Sequence, residues 1–156
     1  MFSTSKSSWI ILCLFCLVIF FSCSGGREEK ADQPTKPENL SIVFGEGGGI
    51  TGQWQGYTIG LDGEILKWSG RAAEQNSVSA GKLDEAILAD LWSEIQNKKI
   101  LENSGTAPGN MTRFLKIKTN GETYSISWAV DAANSTMSAD LDQFYSKCCE
   151  IVEKKK

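Results

Sequence analysis

The chain has 156 residues, with 16 Lys and Arg against 19 Asp and Glu, a formal net charge of −3 and no histidine. The acid surplus lacks the Lys and Arg excess on which phosphate-backbone binding rests, so nucleic acid is not expected as a partner. Without histidine, Ser-His-Asp and Cys-His nucleophiles and the usual zinc sites are excluded too.

The chain opens with a targeting pattern. Lys6 is the one charge before an uncharged apolar run, WIILCLFCLVIFF, from Trp9 to Phe21. A membrane span needs about 20 apolar residues, so this run reads as a signal segment over residues 1–22. Ser22 supplies a small residue and Cys23 follows it. The pattern resembles the signal peptide of bacterial lipoproteins, and that resemblance implies acylation of Cys23, removal of the apolar segment and several acyl chains, enough for stable anchoring. Phe20 and Phe21 stand where such proteins carry Leu or a small residue. That departure leaves an ordinary secretory signal and an uncleaved anchor as the other readings.

Cleavage before Cys23 would remove Lys6 and leave fifteen basic against nineteen acidic residues. Residues 23–39 read as a linker, because Gly25, Gly26, Pro34 and Pro37 interrupt a charged stretch that has nothing with which to build a core. Residues 40–156 have the size and apolar content of one domain.

That domain opens with an expected strand at LSIVF, followed by FGEGGGITGQW from Phe44 to Trp54. Gly47, Gly49 and Gly52 match the dinucleotide pattern G-x-G-x-x-G, but QWQGYTIGL after them alternates like a strand. A pyrophosphate site needs a helix N-terminus there, and a phosphate loop would need Lys where Gln53 stands. No nucleotide is therefore expected, and the glycines read as a connection between antiparallel strands. Such a loop exposes backbone to a partner, which makes Gly47, Gly48, Gly49, Ile50, Thr51, Gly52 and Trp54 the candidate binding residues. Trp54 is expected on the strand face opposite Tyr57, Ile59 and Leu61, together with Gly56, Thr58 and Gly60. Turn geometry alone, with Trp54 folded over a core edge, is the competing reading.

WQGYTIGL and GEILKW flank Asp62-Gly63, and TRFLKIKT and ETYSISWAV flank Asn120-Gly121. Both dipeptides favour type I′ hairpin turns. In the second hairpin Leu115 and Ile117 share one face with Tyr124, Ile126, Trp128 and Val130 on its partner strand; Lys116, Lys118, Ser125 and Ser127 share the other.

Between the hairpins, DEAILADLWSEIQNKKIL places Ile87, Leu88, Leu91, Trp92 and Ile95 on one helical stripe. Asp84, Glu85, Lys98 and Lys99 suit the two ends of its dipole. A second helix is expected from about Ser138, with Leu141, Phe144, Tyr145, Cys148, Ile151 and Val152 inward. Cys148 then faces the core and Cys149 lies beside it; a strained vicinal disulfide is the alternative. The expected fold class is α+β: an antiparallel sheet of about five strands, from two hairpins plus an opening strand, with two helices packed on one face.

Catalytic machinery is not visible. The carboxylate pairs Asp84/Glu85 and Asp140/Asp142 sit where helix starts favour negative charge, and no calcium-loop or other metal spacing appears. The expectation is no catalytic residue, no metal and no cofactor.

FGEGGGITG, the hairpin after it, the LxxLW helix segment, the Pro108-Gly109-Asn110 loop and FLKIKTNGETYSISW together resemble small lipoproteins of the Bacteroidota type. Element order and glycine placement across most of Leu40 to Val152 are also similar to emfourin-type inhibitors of thermolysin-like metalloproteases. That first resemblance carries no activity with it; the signal pattern, the absence of catalytic groups and the glycine loop with Trp54 together give the expectation of a lipid-anchored, non-enzymatic binding module of the bacterial cell envelope, at the outer membrane on its periplasmic or surface face, contacting the membrane through Cys23 and a protein partner through its domain. The second implies a protease inhibitor that presents the Gly47–Gly52 loop to a cleft. A glycan-binding surface through Trp54 and Trp68 is a further alternative.

Overall fold

The computed structural model describes residues 37–103, 105–130 and 139–155, all within a compact unit spanning Gln33–Lys156. The expected signal segment, Cys23, most of the linker and Ser138 lie outside the described residues.

The elements run β1 (Ser41–Gly48), β2 (Gln53–Ile59), β3 (Glu64–Gly70), β4 (Val78–Lys82), α1 (Glu85–Asn97), a 3-10 turn (Ile100–Glu102), β5 (Gly105–Ala107), β6 (Met111–Thr119), β7 (Glu122–Ala129) and α2 (Ala139–Glu153). The strands form one sheet in the order β4-β3-β2-β1-β6-β7-β5. Neighbours are antiparallel except β5, which lies parallel to β7. The α+β class stands, while the expected sheet of about five antiparallel strands is corrected to seven mixed ones among the described residues. The two additions are edge strands with little apolar pattern: β4 carries Gly81 at φ +133°, and β5 is three exposed residues.

The hairpin dipeptides behave differently. Asn120 and Gly121 both take positive φ, 51° and 80°, as a type I′ turn requires. At the first hairpin only Gly63 does, at 85°, and its N–H donates to Gly60 O at 3.0 Å. That connection is wider than the two-residue turn expected, and Leu61 consequently sits outside the strand and exposed.

Strand alternation sends Ile42 and Phe44 of β1, Ile59, Ile65, Leu115, Ile117, Ile126 and Trp128 to one face, where they are buried with Leu88, Leu91 and Ile95 of α1 and Leu141, Phe144, Cys148 and Val152 of α2. Both helices cover this face. Trp128 Nε1 donates to Asp142 Oδ1 at 3.0 Å, and Tyr145 meets Phe44 and Trp128 edge-on. Glu94 joins the helices by accepting from Lys98 at 3.0 Å and from Lys147. Burial pushes the Glu94 carboxyl up, but the Lys147 and Lys98 contacts outweigh it and hold it below the ordinary glutamate range.

The opposite face is covered differently. One register row runs Trp68, Gly56, Gly45, Phe114, Ser127, Thr106 across six strands. The Trp68 indole lies over the two glycines: a Cβ on Gly45 would meet its Cη2 at 2.7 Å, and one on Gly56 its Cζ2 at 2.5 Å. Trp68 then stacks on Phe114, with centroids 5.9 Å apart, and is only 1% exposed. Segment 71–77 arches over this face. Its ends are fixed by Gln75 Oε1, which accepts from Arg71 N at 2.8 Å and Ala72 N at 3.2 Å, and by Asn76 Nδ2 donating to Ser69 O at 2.9 Å. Glu74 reaches Lys118 on β6 at 3.6 Å.

Two predictions follow from this packing. Gly56→Ala places a methyl group against Phe44 O and the Trp68 ring, and is expected to lower unfolding free energy by about 2 kcal/mol in urea titration. Glu94→Gln is expected to cost at most about 1 kcal/mol at neutral pH. Because the folded carboxyl has the lower pKa, its contribution is present above the unfolded value and is lost as pH falls through the folded one. The wild-type and variant stabilities should therefore converge in acid, read as urea midpoints across a pH series.

Candidate functional site

The glycine segment is a hairpin, and β1 runs further than the apolar residues alone suggest. Gly47 and Gly48 are strand residues opposite Trp54 and Gln53, so only Gly49, Ile50, Thr51 and Gly52 make the turn. Gly48, Gly49 and Gly52 hold φ of 107°, 63° and 58°, which side-chain-bearing residues rarely adopt. No helix begins after Gly52; β2 does. The helix end that a pyrophosphate requires is not at this pattern.

The turn presents one apolar side chain. Ile50 is fully exposed, at 104% of its reference area. The backbone beneath it is tied down: Gly49 N–H donates to Asn110 O at 2.6 Å and Gly52 N–H to Gly49 O at 3.3 Å. Gln53 N–H donates to Thr51 Oγ1 at 3.4 Å, and Gly49 sits against Met111. The expected contact loop thus has an isoleucine at its tip on a fixed base.

Trp54 is on the face opposite the helices, as the alternation implied, but it is half-buried. Its indole covers Gly47, where a Cβ would meet Cδ2 at 2.7 Å. It meets Phe114 at 5.7 Å and 65°, edge to face. Trp54 therefore closes a core edge with one part of its ring and presents the rest.

The presented part borders a groove of about 250 Å³. Phe114, Lys116, Ser125 and Ser127 form its floor, Ala73 of the arching segment one side and Thr106 of β5 the other. Lys116, Ser125 and Ser127 lie on the face assigned to them from the sequence. Of the groove lining, sequence reasoning named only Trp54 as a site residue and missed the rest, Phe114, Lys116, Ser125, Ser127, Ala73 and Thr106 among them. Phe114 was within reach, since it alternates in step with Lys116; Thr106 was not, since nothing in Gly-Thr-Ala signals a strand.

A second cleft, about 390 Å³, opens at the edge of the helix layer between Arg113, Glu46, Lys67, Gln55, Tyr145 and Cys149. Arg113 Nε lies 3.5 Å from Glu46 Oε2 and its guanidinium sits 5.3 Å above the Tyr145 ring. Burial pushes both the Tyr145 phenol and the Cys149 thiol up. Cys149 is therefore protonated at neutral pH and a poor nucleophile. Cys148, wholly buried in the core, is pushed up by the same cause. Both thiols are free, so the helical reading of the pair holds.

The glycan alternative needs neighbouring rings at the surface, and Trp68 offers none because it is buried. Among the described residues, no three His, Cys, Asp or Glu side chains gather as a metal site would require, and no helix is long and apolar enough to cross a membrane. Neither known family models nor curated proteins yield a match to this chain.

Proposed function

We propose that this chain is a lipid-anchored, non-enzymatic binding module of the bacterial cell envelope that contacts another protein through the tip of its β1–β2 hairpin, with Trp54 alongside. The carrying observation is Ile50, an aliphatic side chain wholly in water on a turn whose backbone is hydrogen-bonded into the sheet. Water-exposed isoleucine contributes nothing to this fold, whereas an apolar anchor on a pre-ordered loop loses little conformational entropy when a partner covers it. The Cys23 pattern supports the anchor.

The same feature favours a second reading. A projecting, backbone-fixed loop with an apolar tip is suited to entering a cleft, so inhibition of a thermolysin-like metalloprotease in the manner of emfourins is a specific form of the proposal.

Ile50→Asp should leave the unfolding free energy from urea titration unchanged to within about 0.5 kcal/mol, since the site is exposed. The same substitution should lose the partner recovered by the wild-type chain from envelope extracts. Retention of every recovered protein by the variant would remove the tip from the proposal. Titration of a thermolysin-like protease with the wild-type chain and with Ile50→Asp decides the inhibitor form. For the anchor, Cys23→Ser should move the chain from the detergent phase to the aqueous phase on partitioning, with loss of the acyl mass from the N-terminal peptide.

A further inference from the structure

The groove beside Trp54 and Phe114 has a chemical character that the hairpin tip does not. Its lining includes a cation, Lys116, three hydroxyls, from Thr106, Ser125 and Ser127, and no carboxylate. That is a local reversal in a chain with more acid than base. Lys116 makes no ion pair among the described residues, whereas Lys118, two positions along the same face, is held by Glu74 at 3.6 Å. An unpaired ammonium in one groove with two aromatic rings and three hydroxyls suits an anion that carries an apolar body.

We propose that this groove receives an acidic, apolar segment of the protein partner in extended form, with an apolar side chain against Trp54 and Phe114 and a neighbouring carboxylate on Lys116. The assignment rests on the protein-binding reading above and names the chemistry of the partner. Charge complementarity selects the carboxylate. Size and shape select a segment of chain: about 250 Å³ is below the range of pockets that enclose small molecules. The register places the pieces side by side: Phe114, Ser127 and Thr106 lie in one row across β6, β7 and β5, and Lys116 and Ser125 are paired in the next row on that face. The step from the Trp68–Phe114 ring stack down to Ser127 and Thr106 is the wall against which the apolar side chain rests.

The test uses the full chain in neutral-lipid nanodiscs and fluorescence anisotropy of three labelled peptides, alternating leucine with glutamate, glutamine or lysine. The glutamate peptide should bind about fivefold more tightly than the glutamine peptide, the upper end for a solvent-accessible ion pair, and added salt should remove the difference. Lys116→Gln should remove it as well, and Lys116→Glu should reverse the preference toward the lysine peptide. Thr106→Asp, at an exposed position, should weaken the glutamate peptide in the same direction. Equal binding of the three peptides, no binding of any, or an acidic preference that survives Lys116→Gln would overturn the assignment. Failure here separates from failure of the hairpin tip. Ile50→Asp should leave peptide anisotropy unchanged while losing the partner, so partner loss with indifferent peptides removes the groove alone. Unchanged partner recovery with a Lys116-dependent peptide removes the tip alone.

Discussion

The contact between the Trp68 indole and the bare backbones of Gly45 and Gly56 is the constraint on which the second face of the sheet depends. A sheet with helices on one side leaves the other to water, and antiparallel sheets usually meet this with polar side chains. Here one large ring lies flat across two strands instead. It can do so because neither glycine carries a Cβ; with one, the nearest atoms would be 2.7 Å or closer. Val43 and Thr58 are buried on the same face. The sheet thus has a thick core beneath the helices and a thin aromatic layer above; of the glycines that raise the question of a nucleotide loop, Gly47 alone is a strand residue under a ring, that of Trp54.

From this one contact the surface follows. Trp68 stacks on Phe114, Phe114 meets Trp54, and Trp54 covers Gly47. Each ring fixes the next, so the groove wall is set by packing and not by a mobile loop. Segment 71–77 is held mainly by Gln75, which accepts from the segment's own backbone, and by Asn76, which donates to Ser69 O of β3, while its long-range tie, Glu74 to Lys118, joins two partly exposed side chains and adds little. The layer therefore derives its order from the rings, and the arch is laid over it.

Much of the fold was legible because its signals are local. The stripe Leu88, Leu91, Trp92, Ile95 fixes α1, and Leu141, Phe144, Tyr145, Cys148 fixes α2, since period 3.6 needs only the residues of one element. Asn120-Gly121 marks its turn by local backbone preference. What could not be read is what depends on partners distant in sequence. Gly-Thr-Ala becomes β5 only because β7 offers an edge, and Val78–Lys82 becomes β4 because β3 does. Arg-Ala-Ala-Glu-Gln-Asn-Ser has no apolar period at all, and its conformation comes from amide side chains finding backbone groups.

The site divides along the same line. Glycines announce a turn, and a turn exposes its tip, so Ile50 was within reach of the sequence; that Gly47 and Gly48 belong to the strand was not, because their pairing with Trp54 and Gln53 is a property of register. The groove is farther still from the sequence, since its lining comes from β2, β5, β6, β7 and the arch and converges only when six strands are placed in order. Register is also what gives it a charge. Lys116 faces Ser125 on β7 and Lys118 faces Thr123, but only Lys118 lies where Glu74 can reach. Two lysines of equal character in the sequence thereby acquire different states. One is paired with Glu74 of the arch, and the other, with no ion pair among the described residues, lines the groove that Trp54 and Phe114 also line, open to a carboxylate from outside.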